Sequence, residues 1–88
     1  MSEAVTTIDH EEIRRWAEKR KGKPARVKTS RPGGVLRIDF GKPEVELEEI
    51  SWDKFFEIFD DNELAFLHQD ETSSGGTSRF NKFVKRNG

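Results

Sequence analysis

The first group of hydrophobic residues is spaced like one face of an α-helix. Its members lie at positions i, i+3 and i+4: Ile13, Trp16 and Ala17. Asp9 is the expected N-cap, and Glu12 is expected to complete a capping box with it. Gly22 is expected to end this helix, because glycine readily adopts the left-handed backbone conformation that follows many helices.

Aromatic residues predict two further helices. The second helix is expected over 52–60 after the N-cap Ser51, and its apolar face would contain Trp52, Phe55, Phe56 and Phe59. The last helix is expected over 79–86, where one face would contain Phe80, Phe83 and Val84.

The remaining hydrophobic segments alternate and predict strands. Residues 24–29 and 35–40 are expected to form an antiparallel hairpin around a turn at 30–34. Residues 64–69 are apolar on both faces at their start, which is typical of a central or covered strand. Residues 45–49 are either a weak strand or an extended acidic segment.

The predicted order is helix, strand, strand, helix, strand, helix. It favours an α+β fold with a small, mainly antiparallel sheet of about three strands and three helices against one face. The expected core is aromatic and contains Trp16, Trp52, Phe55, Phe59, Phe66 and Phe80. Residues 1–7 are expected to be a disordered tail, and residues 8–88 a single compact domain.

Composition limits the classes of protein that remain. The chain has 88 residues, of which 32% are hydrophobic and 38% charged, and it has no cysteine. This length excludes a (β/α)₈ barrel, which needs about 250 residues, and the lack of cysteine excludes disulfides and zinc–thiolate sites. No segment resembles a membrane span or a secretory signal, so we expect a cytoplasmic protein. We also expect it to be a monomer.

Charge is strongly segregated along the chain although the net charge is only −1. Residues 11–37 contain ten Lys or Arg and three Glu, whereas residues 38–72 contain twelve acids and two Lys. Clustered cations are what phosphate neutralisation requires, so a non-enzymatic nucleic-acid or anion-binding module is the first hypothesis. The candidate binding residues are Arg14, Arg15, Lys19, Arg20, Lys23, Arg26 and Lys28.

Two other interpretations of the charge segregation remain open. The basic segment can instead be neutralised by the acidic segment, with no external partner. Alternatively, the protein is an interaction domain that binds another protein through its acidic face and an exposed Phe56 or Phe83. The salt dependence of binding distinguishes the two kinds of partner. Phosphate binding weakens steeply as the salt concentration rises, whereas binding to a protein through hydrophobic anchors changes little.

Other candidate sites carry weaker signals. The polar loop 73–78 before the last predicted helix is either an anion site assisted by Arg79 and Lys82 or a flexible connector. The histidines, His10 and His68, lack the spacing of a metal site, so we expect no metal or cofactor. A small enzyme would need a cleft that holds His68 together with a carboxylate.

Several blocks of the chain, in order, resemble a family of small bacterial proteins. They are HEEIRRWAE (10–18), GKPARV (22–27), LRIDF (36–40), LEEISWDKFF (47–56), LAFL (64–67) and SRFNKFV (78–84). The resemblance implies a bacterial cytoplasmic protein of a family with no established activity. Some members carry the label "1,4-alpha-glucan branching enzyme", but that activity depends on a barrel too large for this chain, so we expect no enzyme.

Overall fold

The computed structural model of the protein describes residues 3–27, 36–41, 47–72 and 74–86. The fold is α+β, as predicted, but it has two helices and two sheets in this part of the chain instead of three helices and one sheet. The elements are β1 (Val5–Thr7), α1 (His10–Lys19), β2 (Lys23–Val27), β3 (Leu36–Asp39), β4 (Leu47–Glu49), α2 (Trp52–Asp61), β5 (Leu64–His68) and β6 (Asn81–Lys85).

Both sheets are antiparallel and have three strands. One has the order β1-β5-β6, and the other has the order β3-β2-β4. The predicted hairpin corresponds to β2 and β3, although residues 28–35 lie outside the described residues. Of the two alternatives for residues 45–49, the structure shows the strand over Leu47–Glu49, because β4 pairs with β2 and places Glu48 opposite Arg26, while residues 45 and 46 lie outside the described residues. The predicted third strand is β5, which occupies the centre of its sheet.

Both predicted N-caps are confirmed. The Asp9 carboxylate accepts hydrogen bonds from the backbone N–H groups of Glu11 and Glu12, and the Ser51 hydroxyl accepts one from Lys54. The capping box does not form, because the Asp9 N–H donates to the Thr7 hydroxyl instead. Glu12 is thereby left to interact with other parts of the fold.

The N-terminal segment is partly ordered, contrary to the expected tail over 1–7. Val5, Thr6 and Thr7 pair with β5 opposite His68, Leu67 and Phe66. All three residues are β-branched, which suits a strand, and pairing protects an edge of β5 that would otherwise leave backbone groups without partners.

The predicted last helix over 79–86 is wrong, because β6 occupies most of that segment and pairs with β5 along its length. Phe83 lies opposite Phe66 and packs partly buried against the core, whereas Phe80 is 47% exposed and is not a core residue. The helical spacing of Phe80, Phe83 and Val84 is too short to outweigh strand pairing, which supplies the other edge of β5 with backbone hydrogen bonds.

The core lies around α2, which contacts β2, β3 and β5 and therefore joins the two sheets. Its fully buried large side chains are Ile13, Leu36, Phe55, Phe59 and Phe66. Trp16 packs edge-on against Phe66, and Trp52 is half-buried against the core. No helix in the described parts of the chain has the length and apolar character that crossing a membrane requires.

Candidate anion-binding groove

A groove of about 450 Å³ lies where the last turn of α1 meets the segment that leads into β6. Four of the residues that line it are cationic, and the fifth carries a hydroxyl: Lys19, Arg20, Lys21, Arg79 and Thr77. No Asp or Glu is among the described residues that line it. A concave surface with several cations and no acid has the chemistry of an anion site.

The end of α1 gives the groove its shape. Lys21 has a left-handed backbone with φ of 60°, and its N–H donates to the Glu18 carbonyl over 3.0 Å. The next N–H, from Gly22, donates to the Ala17 carbonyl over 2.8 Å, which completes a Schellman motif. Glycine usually occupies the left-handed position of this motif, so a lysine there is strained.

Gly22 was expected to end the helix in a left-handed conformation, but Lys21 adopts that conformation instead. A Cβ at this position would lie 2.5 Å from Ile38 Cγ2 and 2.9 Å from Phe40 Cε1. Glycine is required here because β3 and the residue after it approach the backbone closely.

Arg20 holds the two walls of the groove together. It is buried, and its guanidinium donates to the carbonyls of Trp16, Ser78 and Asp70, while its plane lies 4.2 Å from the centre of the Trp16 ring. Burial lowers the pKa of Arg20, and the nearby Asp70 carboxylate partly opposes that shift. The side chain therefore contributes charge to the groove but has its hydrogen bonds already committed within the fold.

The other three cations are better placed to meet a ligand. Lys19, Lys21 and Arg79 are exposed, and none forms an ion pair with a described residue. The Arg79 guanidinium lies 5.5 Å from the centre of the Phe40 ring, which orients it without neutralising it. These three side chains make the groove cationic.

Most of the predicted binding residues do not meet in one place. Arg14 and Arg15 pair with Glu18 and Glu11 on their own helix, over 3.2 and 3.6 Å. Arg26 pairs with Glu48 across β2 and β4 over 2.8 Å. Of these three residues, only Arg26 is paired with the acidic segment 38–72, as the alternative interpretation expected, whereas Arg14 and Arg15 pair with acids of their own helix.

The remaining predicted residues divide between two surfaces and an undescribed segment. Lys19 and Arg20 line the groove, whereas Lys23 lines a second depression beside Trp52 that shares Lys21 with the groove and also contains Glu18 and Glu49. Lys28 lies outside the described residues. Lys21 was not among the candidate binding residues predicted from the sequence, and Thr77 and Arg79 were assigned to a different anion site, around the loop 73–78. The signal for Lys21 was its position just after a helix and before a glycine.

The polar loop before β6 is not an anion site at a helix N-terminus, because a strand and not a helix follows it. Glu71 and Thr77 form an isolated β-bridge, and the Thr72 N–H donates to the Gly76 carbonyl over 2.7 Å. Ser73 lies outside the described residues. This tight connection brings Thr77 and Arg79 to α1.

A neighbouring cleft of about 560 Å³ shares Lys19, Arg20 and Thr77 with the groove. It contains the juxtaposition that a small enzyme would need, since His68 Nε2 lies 3.1 Å from Glu12 Oε2. However, His68 is buried, its Nδ1 atom has no hydrogen-bond partner, and Glu12 also accepts a hydrogen bond from Thr7. This geometry connects β1, α1 and β5, and the ring nitrogen of His68 that has no partner is buried.

The neighbouring cleft differs from the groove because acidic residues also line it. Glu12, Asp70 and Glu71 line this cleft, and the Asp70 carboxylate lies 3.9 Å from the guanidinium of the shared Arg20. The described residues contain no group of three or more His, Asp or Glu that could hold a metal ion. Of these two depressions, the groove is the one whose described lining contains cations and no carboxylate.

The aromatic residues expected to anchor a protein partner are engaged within the fold. Phe56 stacks on His10 with 4.1 Å between ring centres, and Phe83 packs against Phe55, Phe59 and Phe66. Both are partly buried. Phe56 and Phe83 are therefore not the freely exposed anchors that were expected, and the exposed aromatic residue of the described chain is Phe80.

Comparison of the chain with protein-family models, curated proteins and solved structures finds no match. The resemblance to small bacterial proteins stays a prediction, and function is inferred from the geometry of the groove.

Proposed function

We propose that the protein is a non-enzymatic binding module whose groove holds the phosphates of a nucleic acid. The observation that carries this proposal is the meeting of Lys19, Lys21 and Arg79 in one groove with no Asp or Glu among the described residues that line it. Lysine and arginine are the side chains that neutralise phosphates and release their condensed counterions.

The end of α1 is electrostatically suited to an anion in spite of its helix dipole. The C-terminal carbonyls of a helix carry partial negative charge, which would repel phosphate. Here the Ala17 and Glu18 carbonyls accept hydrogen bonds from Schellman N–H groups, and the Trp16 carbonyl accepts one from Arg20. These bonds reduce the negative potential that the groove cations must overcome.

Strain at Lys21 supports a role for its side chain. A non-glycine residue in the left-handed region costs free energy that glycine would avoid. The lysine at this position supplies the groove with a third exposed cation beside Lys19 and Arg79.

A polymer fits the distribution of charge better than a single small anion. The segment 79–86 contains no acid, and it continues from Arg79 in the groove to the exposed Lys82 and Lys85 on β6. A chain of phosphates can run from the groove to Lys82, whereas Lys85 belongs to the face of β6 that contains Phe83.

The test is an NMR amide-shift titration with mixed-sequence DNA and RNA oligonucleotides at about 50 mM and about 200 mM salt. Saturable shifts centred on residues 19–21 and 77–79 that collapse at the higher salt are expected. Binding by the double variant Lys19→Gln/Arg79→Gln should be at least about ten-fold weaker, with a shallower dependence on salt.

A matched variant controls for net charge. Lys54→Gln/Arg37→Gln removes one lysine and one arginine, both exposed and outside the groove, so it should bind within about two-fold of the unaltered protein. Equal losses in the two variants would mean that only overall charge attracts the nucleic acid. No shifts at the lower salt would overturn the proposal and leave the search for a protein partner as the next step.

A further inference from the structure

We infer that the ligand of the groove is a single-stranded nucleic acid, and that Phe80 stacks on one of its bases. This inference rests on the proposed function and adds to it the kind of nucleic acid that is bound.

Phe80 is the exposed aromatic residue that a single-strand binder needs. It is 47% exposed, and the other large hydrophobic residues exposed to a similar degree in the described chain, Val5 and Ile8, are aliphatic. It follows Arg79 directly, so its backbone lies at the edge of the groove. Its N–H donates to the Ser78 hydroxyl, and Ser78 is buried, which anchors this segment to the fold.

The register of β6 places a further cation near Phe80. Phe83 lies opposite Phe66 and packs against the core, so Lys82, one residue earlier, belongs to the other face of the sheet. Lys82 is exposed and makes no ion pair with a described residue. Phe80 therefore lies between Arg79 and Lys82 in the sequence, and a segment with an exposed aromatic ring and cations on either side has the residue types on which bases stack between phosphate contacts.

A single strand satisfies this arrangement better than a duplex does. Duplex bases are already stacked and paired, so they offer no free face to Phe80, whereas an unpaired base does. A flexible single strand can also bend into the groove while its next base reaches the ring. Sequence preference is expected to be weak, since every base has a stackable face.

The experiment measures the affinity of the full chain for three probes at about 50 mM salt: an oligonucleotide of about twelve nucleotides, the same sequence as a duplex, and inorganic polyphosphate. DNA and RNA forms of the oligonucleotide are compared as separate arms. The single strand should bind at least several-fold more tightly than the duplex, and the Phe80 ring protons should shift upfield upon binding.

Substitution of Phe80 separates stacking from phosphate binding. Phe80→Ala should weaken single-strand binding about ten-fold and leave polyphosphate binding within two-fold, whereas Phe80→Trp should restore the affinity. Ile8→Ala, which removes a similarly exposed hydrophobic side chain elsewhere, should change neither affinity.

The outcomes distinguish the two proposals. If all three probes bind and Phe80→Ala binds the single strand as tightly as the unaltered protein, the stacking inference is wrong and the groove stays a phosphate site. Equal affinity for duplex and single strand would likewise contradict the inference. If neither polyphosphate nor any nucleic acid binds, the proposed function itself is wrong.

Discussion

The imidazole of His68 lies 3.1 Å, through Nε2, from the Glu12 carboxylate, and this contact joins β5 to the first turn of α1. The other carboxylate oxygen of Glu12 accepts a hydrogen bond from Thr7 in β1 over 3.0 Å. The Glu12 side chain therefore connects α1 both to β1, which precedes it in sequence, and to the distant β5. The pairing of β1 with β5 closes the same connection through the backbone.

Removal of the Glu12 carboxylate should destabilise the fold. Glu12→Ala leaves the buried His68 ring without its partner, and an unsatisfied buried polar group costs about 1–3 kcal/mol. Glu12→Gln retains an acceptor oxygen and should lose less. Urea denaturation measures both effects, with Glu11→Ala as the control, because Glu11 forms only an exposed pair with Arg15. Equal losses for Glu11→Ala and Glu12→Ala would contradict this role.

Lys21→Gly should have opposite effects on stability and binding. Glycine relieves the left-handed strain and is expected to stabilise the fold by up to about 1 kcal/mol. The same change removes a groove cation and should weaken binding of polyphosphate several-fold. Thermal denaturation and a binding titration on one sample check both effects. A Lys21→Gly variant that is more stable and binds normally would show that this side chain has no part in the groove.

Gly22→Ala should be strongly unfavourable although both glycine and alanine are small. The added methyl group would overlap Ile38 and Phe40, and overpacking of this kind costs about 1–3 kcal/mol. Gly76→Ala is the matched control, because its Cβ would meet nothing closer than the Thr72 hydroxyl at 3.6 Å. Urea midpoints should therefore separate the two variants, and a Gly22→Ala midpoint equal to that of the unaltered protein would disprove the close approach.

The stability that Asp60 contributes should depend on pH. Slight burial opposes ionisation, but hydrogen bonds from Arg86 and His10 outweigh it and hold the pKa of Asp60 below its ordinary value. A lowered carboxyl pKa contributes stability above the unfolded-state pKa of about 4, and that stability is lost as the pH falls through the folded-state value. Because Asp60 is about half exposed, the contribution should be below about 1 kcal/mol.

The measurement is the free energy of unfolding from about pH 6 down to about pH 2.5 for the protein and for Asp60→Asn. The difference between them should be largest at the upper end and shrink below about pH 4. Asp61→Asn controls for the loss of a neighbouring acid, since Asp61 makes no ion pair with a described residue. A difference that stays constant with pH would contradict the lowered pKa.

Both helices of the described chain, α1 and α2, were predictable from the sequence because their signals are local. The spacing of Ile13 and Trp16, and of Phe55 and Phe59, repeats with the helical period, and Asp9 and Ser51 supply caps within three residues. The pairing of β2 with β3 was likewise visible in the alternation on either side of the turn-rich segment.

The groove depended on contacts that a local pattern does not encode. Whether residues 79–86 form a helix or a strand is decided by the free edge of β5, since a strand there completes a sheet and a helix does not. That choice moved Phe80 from the expected core to the surface and brought Arg79 to the end of α1.

The sequence by itself determined the α+β class, the helices α1 and α2 with their caps, and most of the aromatic core, since helical spacing and caps involve residues a few positions apart. The pairs of Arg14 with Glu18 and of Arg15 with Glu11 are also local, because each partner lies four residues away on α1. Only the tertiary structure decided that Arg26 is neutralised, because it meets Glu48 through the register of β2 and β4. Lys19, Lys21 and Arg79 converge because the Schellman turn that ends α1 lies beside the segment that leads into β6. Long-range packing brings these two parts of the chain together.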